Sequence, residues 1–462
     1  MSFATCLSSA RKAIVPPEPF ARGCLIVVAL WLFGVFLPLN LAWNDHTRSG
    51  ASRKFTLSFP NADFSQYYIA GVAARYDLWA HLYPQYKPEW AGQPGRQIWS
   101  STCAEADPEM LEHLGDLPAW RVENIAPPPQ AILCLPLGFF PFATAFKIWM
   151  TGLMGATLGV VICAAQIYRR LGGQSGRFEG GLYLAGAVLP LLPRIGAGDN
   201  VMMYLIFCVG VAALTWTGQQ PFKLGFSLII PAVFKGLTAT WCPLLLFKPV
   251  KWRVLGWMVF WTALLNGLVL WFGGWQPYAT WLRDILPDAT SMETQRYWEH
   301  CMNLKGIAFG WGWESFPAGV IKVFYAAGLV TVYLGYWRRC QAPGPAAFAN
   351  VCAAMVALLM LFNLCNKVSW LPYVAFLLPF AGWVLLEYAG CSPAGKFRVK
   401  LAAASLFVVV PAAHFLVSKL LLKQPHAGVE AGRDLYAGVE VISLALAYRR
   451  LFFAPRTPLE PA

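Results

Sequence analysis

The chain has 462 residues, of which 57% are hydrophobic and only 13% charged, with a formal net charge of +13. A soluble domain carries roughly 25% charged residues, so this composition excludes an ordinary soluble enzyme or binding module. The positive balance does not imply nucleic acid, because the basic residues sit in short stretches between apolar runs, where helix orientation in a membrane requires them.

The first such run, Cys24 to Trp43, contains no charge and has the roughly 20 apolar residues that span a bilayer. No small-residue cleavage site follows it, so we read a retained helix and not a signal peptide. Further spans are expected near 143–168, 179–195, 200–217, 222–235, 238–248, 254–272, 317–336, 346–365, 369–389, 401–421 and 435–449. The fold class is therefore all-α, a single multi-pass membrane domain over 1–462 with about 10–12 transmembrane helices. Residues 222–235 and 238–248 are too short for full crossings and read as a re-entrant pair or one broken helix.

Basic clusters mark the cytoplasmic face. They are Arg11, Lys12 and Arg22; Arg169, Arg170 and Arg177; Lys223; Lys248, Lys251 and Arg253; Arg338 and Arg339; Lys396, Arg398 and Lys400; and Arg449, Arg450 and Arg456. With these spans every cluster falls inside, both termini are cytoplasmic, and two long segments, 44–130 and 273–316, lie outside the cytoplasmic membrane. Most of the 12 cysteines lie in apolar runs, such as Cys163, Cys208 and Cys352, and act there as small hydrophobes. Cys103 and Cys301 fall in the outer segments, where a disulfide is permitted if their Cα atoms lie within about 7 Å. No CxxC or HExxH occurs, so no metal and no cofactor is expected.

The first outer segment contains "FPNADFSQYYIAGVAARYDLWAHLYP". Tyr67, Ala70, Ala74 and Asp77 lie at helical spacing, which predicts a loop ending at Asn61 to Asp63 and a helix lying along the membrane surface. Asp63 is either an N-cap or a functional carboxylate. Pro127, Pro128 and Pro129 predict a stiff extended piece. "LPLGFFPF", broken by Pro136 and Pro141, suits a short helix in the headgroup layer. Three polar spots cap the short outer turns: Arg194, Asp199 and Asn200; Lys235; and Asn366, Lys367 and Ser369. Charges near the membrane interior are costly and tend to be functional, although Lys235 and Lys367 also fit snorkelling at helix ends.

The order of these features resembles glycosyltransferase family 87, the polyprenol-phosphate-mannose-dependent mannosyltransferases of the GT-C superfamily. The elements are "ADFSQYYIAG" and "HLYP", "PPPQAILCLPLGFFPFATAFKIW", "GAGDN", "FSLIIPAVFKGLTATWCPLLLF", "GGWQPYATWLRDILP" and "VSWLPYVAFLLP", over roughly residues 24 to 390. Where the family has Gln after the turn glycine, this chain has Asp199. Its Asn-x-Ser-Leu element reads "MNLKG", leaving Asn303, and the His after Ser-Trp is replaced by Leu371 and Pro372.

The resemblance implies transfer of a sugar, mannose in the family, from a polyprenyl-phosphate donor to a hydroxyl of a glycan or glycolipid acceptor on the outer face, with inversion. Asp63 would be the base, and Arg194, Lys235 and Lys367 would hold the leaving phosphate. Tyr67, Tyr68 and Trp275 would stack on sugar. Asn200, Asn303, Ser369 and Trp370, which stand at motif positions, would contact substrate. Two rivals are a lipid-linked glycan polymerase or ligase, which would want paired loop arginines where Arg75, Arg96 and Arg121 are scattered, and a transporter, which would want mid-span charges and an internal repeat.

Overall fold

Apolar runs of bilayer length become helices of bilayer length. The structure, a computed structural model, describes residues 16–42, 62–83, 108–114, 126–173, 175–187, 189, 201–247, 249–287, 303–311, 313, 317–342, 344–366, 378–381, 383–384 and 425–453. Its helices are α1 (Pro19–Ala42), α2 (Ala62–Arg75), α3 (Pro108–Leu114), α4 (Pro129–Gly138), α5 (Phe142–Arg170), α6 (Gly176–Gly186), α7 (Met202–Trp216), α8 (Pro221–Lys235), α9 (Trp252–Gly273), α10 (Gln276–Thr280), α11 (Leu304–Gly310), α12 (Ala318–Arg339), α13 (Gly344–Cys365) and α14 (Pro425–Phe452). No strand occurs among the described residues. Five of the helices, α1, α5, α9, α12 and α13, are long and apolar enough to cross a membrane. The chain is an all-α, multi-pass membrane protein.

Burial separates the helices by role. Helix α13 is buried along nearly its whole length, while α1, α9 and α12 leave most of their apolar surface exposed, as lipid-facing helices do. On α9 the exposed Trp252 and Trp271 are about 19 residues apart, roughly 28 Å along the axis. That is close to the roughly 30 Å hydrocarbon thickness, and Trp is favoured at both interfaces.

The helix contacts define two ends. At one, Arg170 bonds the Leu214 carbonyl and lies over Phe348, Arg169 meets Glu179, and Arg339 bonds the Leu451 carbonyl. The buried Arg450 donates to Asn350 Oδ1 at 3.0 Å. Basic residues from several of the clusters thus have partners within the fold. Their guanidinium groups satisfy carbonyls in the last turns of α7 and α14, where intrahelical donors run out.

The opposite end holds the short helices of the first long segment. Helix α2 was expected to lie along the membrane surface; within the fold every residue from Phe64 to Ala73 is buried. The reason is a backbone-close crossing with α4. A Cβ on Gly71 would collide with the Cys134 carbonyl, and one on Gly138 with the Gly71 carbonyl. Tyr68 donates to the Phe140 carbonyl at 3.1 Å and Arg75 to the Gly138 carbonyl at 2.8 Å. Helix α2 ends on Asp77, whose φ of 59° is left-handed. The Leu78 N–H reaches back to the Ala73 carbonyl at 2.9 Å, the six-to-one bond of a Schellman cap. Helix α3 docks on this end, with His113 stacked on Tyr76 at 4.0 Å and His81 facing Glu109 at 3.3 Å.

The proline run also differs from expectation. The helix begins at Pro129 itself, because the first helical position needs no N–H and favours a fixed φ. Tyr83, whose hydroxyl donates to the Ala126 carbonyl at 2.7 Å, anchors the approach, and burial raises its pKa. Helix α14 is longer than the predicted 435–449 and carries Glu440, fully buried and accepting from Asn363 Nδ2. Cys103, Cys301 and the predicted span 401–421 lie outside the described residues.

Candidate functional site

Helix lengths create the site. Helix α5 has 29 residues, about 43 Å. Helices α7 and α8 have 15 each, about 22 Å and short of the hydrocarbon thickness. Helix α8 is therefore too short to cross the hydrocarbon by itself. It stops at Lys235 because Gly236 takes φ 68°, a conformation that suits a residue without a Cβ. The chain then doubles back: the Leu237 N–H bonds the Pro231 carbonyl at 3.3 Å and Thr238 Oγ1 bonds the Leu228 carbonyl. It returns as the 3-10 helix Ala239–Leu246 to Phe247, beside Tyr336. Of the two sequence readings for this stretch, the geometry is that of a re-entrant pair, with Lys235 at its apex. Lys235 is half-buried, and its side chain makes no hydrogen bond or ion pair among the described residues.

Beside this apex, α2 packs on the overhanging start of α5 through rings. Phe64 meets Phe142, Phe146 and Trp149 at 5.3–5.6 Å. Tyr67 stacks on Trp149 at 4.9 Å and approaches Phe234 edge-on at 6.2 Å. Tyr204, near the start of α7, lies 4.8 Å from the Trp149 ring and donates to the Trp149 carbonyl at 2.7 Å. Tyr67 thus links α2 to the residue before Lys235. Asp63 occupies the first turn of α2, four positions before Tyr67 and so on the same helix face. An acid is favoured there by the helix dipole; its side chain lies outside the described residues. The structure brings the start of α2, the start of α7 and the apex of α8 to one place.

The model of glycosyltransferase family 87 matches residues 125–361. The chain belongs to this family. It is a membrane glycosyltransferase. No curated protein matches it. The family 87 segment includes Arg194, Asn200, Lys235, Trp275 and Asn303. Asp63, Tyr67, Tyr68, Lys367, Ser369 and Trp370 lie beyond it.

For a family 87 enzyme the remaining expected residues fall as follows. Arg194, Asn200, Lys367, Ser369 and Trp370 lie outside the described residues. Tyr67 and Tyr68 are 1% and 3% exposed, with rings engaged by Trp149 and Phe142, whereas Trp275 is 63% exposed and stacks on Tyr278 at 5.6 Å. Tyr278 is fixed in turn by donating to Asn266 Oδ1 at 2.6 Å. Asn303 is buried and has structural partners. Its Oδ1 accepts from the Gly306 N–H at 2.6 Å, capping α11, and its Nδ2 donates to the Asn366 carbonyl at 2.8 Å. It therefore joins α11 to the end of α13, next in sequence to Lys367. Asn303→Ala should lower stability by about 0.5–2 kcal/mol, the usual loss for a cap, measured as a fall in thermal midpoint; an unchanged midpoint would remove it from this structural role.

Sequence reasoning met Trp149 only as the last residue of the element "PPPQAILCLPLGFFPFATAFKIW", without a role, and did not single out Tyr204. Each is an aromatic residue in an apolar helix, and nothing in helical periodicity distinguishes such a residue from lipid-facing or core packing.

Proposed function

We propose that this glycosyltransferase moves a sugar, mannose by resemblance, from a polyprenyl-phosphate donor to an acceptor hydroxyl at the end of the bundle opposite the basic clusters. In this GT-C reading Asp63 takes the acceptor proton as the glycosidic bond forms, with inversion at the anomeric carbon. Lys235, Arg194 and Lys367 neutralise the departing phosphate. The observation that supports it best is the apex of α8. A lysine at the apex of a turn, with no hydrogen bond or ion pair among the described residues, suits an anionic group that arrives in the bilayer, and Tyr67 joins that apex to the helix carrying Asp63. A donor already activated on a lipid phosphate needs no nucleotide-binding loop.

Purified protein given polyprenyl-phosphate-mannose and an acceptor membrane extract should transfer sugar without ATP or a nucleotide sugar; transfer only from a nucleotide sugar would refute the reading. Lys235→Ala should lower donor use by about 10–100-fold, since a hydrogen bond to a charged group contributes roughly 1.5–3 kcal/mol, while Lys419→Ala leaves the rate unchanged. Equal small effects from both would favour snorkelling. The site is assigned to the outer face of the cytoplasmic membrane. A cysteine introduced at Gln93 should then react with an impermeant reagent in whole cells while one at Gly173 does not, and the opposite labelling would place the site on the other face.

A further inference from the structure

Arg75 is an exposed cation set among exposed rings. It ends α2, and its NH1 donates at 2.8 Å to the carbonyl of Gly138, the last residue of α4. Its guanidinium also lies over the Tyr76 ring at 4.6 Å and over the Phe139 ring at 5.1 Å. Such contacts use the flat face of the group and leave its in-plane N–H donors, a fork that matches carboxylate and phosphate. Neither Nε nor NH2 makes a hydrogen bond among the described residues, and Arg75 has no acid partner there, although Asp77 is two residues away. Phe139 and Phe140, beside this cation, are 57% and 41% exposed. Helix α5 starts at Phe142 and can cross a membrane. Its length of about 43 Å matches the roughly 40–45 Å of a bilayer with its headgroups. Thr144, Lys147, Ile148 and Thr151 are exposed on one face of α5, so that flank meets lipid from its first turns. The corner formed by Arg75, Phe139 and Phe140 stands at the head of the flank, at the depth of the headgroups.

We propose that Arg75 binds the phosphate of a phospholipid whose acyl chains lie against Phe139 and Phe140, and that this lipid fastens the crossing of α2 and α4 to the bilayer surface. Water could solvate the guanidinium but would leave two large rings wet. A soluble phosphate would do the same. A phospholipid answers both needs, because its phosphate accepts from the fork and its chains cover the rings. The inference needs only the membrane setting and does not depend on the donor reading.

The test uses the full chain in nanodiscs of equal phosphatidylglycerol and phosphatidylcholine, with p-benzoylphenylalanine in place of Phe140. On irradiation the wild type should cross-link phosphatidylglycerol over phosphatidylcholine by about fivefold, the worth of one basic group at an anionic lipid surface. Arg75→Gln should bring that ratio to about one, while Lys223→Gln, which removes an exposed cation at the start of α8, should leave it unchanged. Should Arg75→Gln not fold, Arg75→Lys decides. It keeps the charge without the fork, and bidentate pairs are roughly twice as strong as simple ones, so the excess should fall to about twofold. A wild-type ratio near one, or an excess that neither Arg75 variant lowers, would overturn the proposal. Loss of the excess on adding millimolar inorganic phosphate would assign the fork to a soluble anion instead. Loss on adding one polyprenyl phosphate per protein would assign it to the sugar donor's lipid, and either result overturns the phospholipid.

Discussion

Asp63→Asn should abolish sugar transfer while leaving the protein folded. Loss of a general base costs on the order of 10²–10⁴ in rate, and asparagine serves a helix start about as well as aspartate, so a structural explanation predicts little change. The helix geometry sharpens this expectation. Asp63 lies in the first turn of α2 and one turn from Tyr67, which touches Trp149 and Phe234. Asp77 is the control from the same segment. It sits at the far end of α2 in a left-handed conformation that asparagine also tolerates, so Asp77→Asn should retain activity. Rates measured side by side on purified variants with matched thermal midpoints check this. An active Asp63→Asn beside a dead Asp77→Asn would mean that the acid has been misassigned.

The second large effect is structural. Gly71→Ala should destabilise the protein and take activity with it, because the added Cβ meets the Cys134 carbonyl and the Gly138 N–H, which are backbone groups that cannot rotate away. Overpacking of this kind costs about 1–3 kcal/mol, occasionally more. Gly155→Ala in α5 is the matched control: its Cβ meets nothing within 4 Å, and alanine is the better helix former by roughly 1 kcal/mol. Thermal midpoints should therefore move in opposite directions. Gly71→Ala and Gly138→Ala act on one contact, so their effects should not add. A Gly71→Ala protein as stable as wild type would mean that α2 and α4 do not cross there, and the positioning of Asp63 would need another cause.

Run length and composition made the long helices legible. Predicted 143–168, 254–272 and 346–365 fall within Phe142–Arg170, Trp252–Gly273 and Gly344–Cys365, since a predominantly apolar run of bilayer length has one favourable state in lipid. The burial of α2 was not legible. The spacing of Tyr67, Ala70, Ala74 and Asp77 gave only a helix along the membrane surface, and only the crossing at Gly71 and Gly138 shows why small residues are needed on the side that meets α4. Lys235 was found because a cation inside an apolar stretch is rare, and its place at the apex of a turn followed only from the left-handed Gly236.

The account rests on Asp63 and Lys235 acting on the two ends of one phosphate-linked sugar. A structure of the protein with a non-transferable polyprenyl-phosphonate sugar tests this directly. The predicted result has the phosphonate within hydrogen-bond distance of Lys235 Nζ, the tail in the bilayer beside α4, and the sugar between that phosphonate and the start of α2 that carries Asp63. A phosphonate bound among Arg170, Arg339 and Arg450 at the opposite end, with Lys235 untouched, would contradict it.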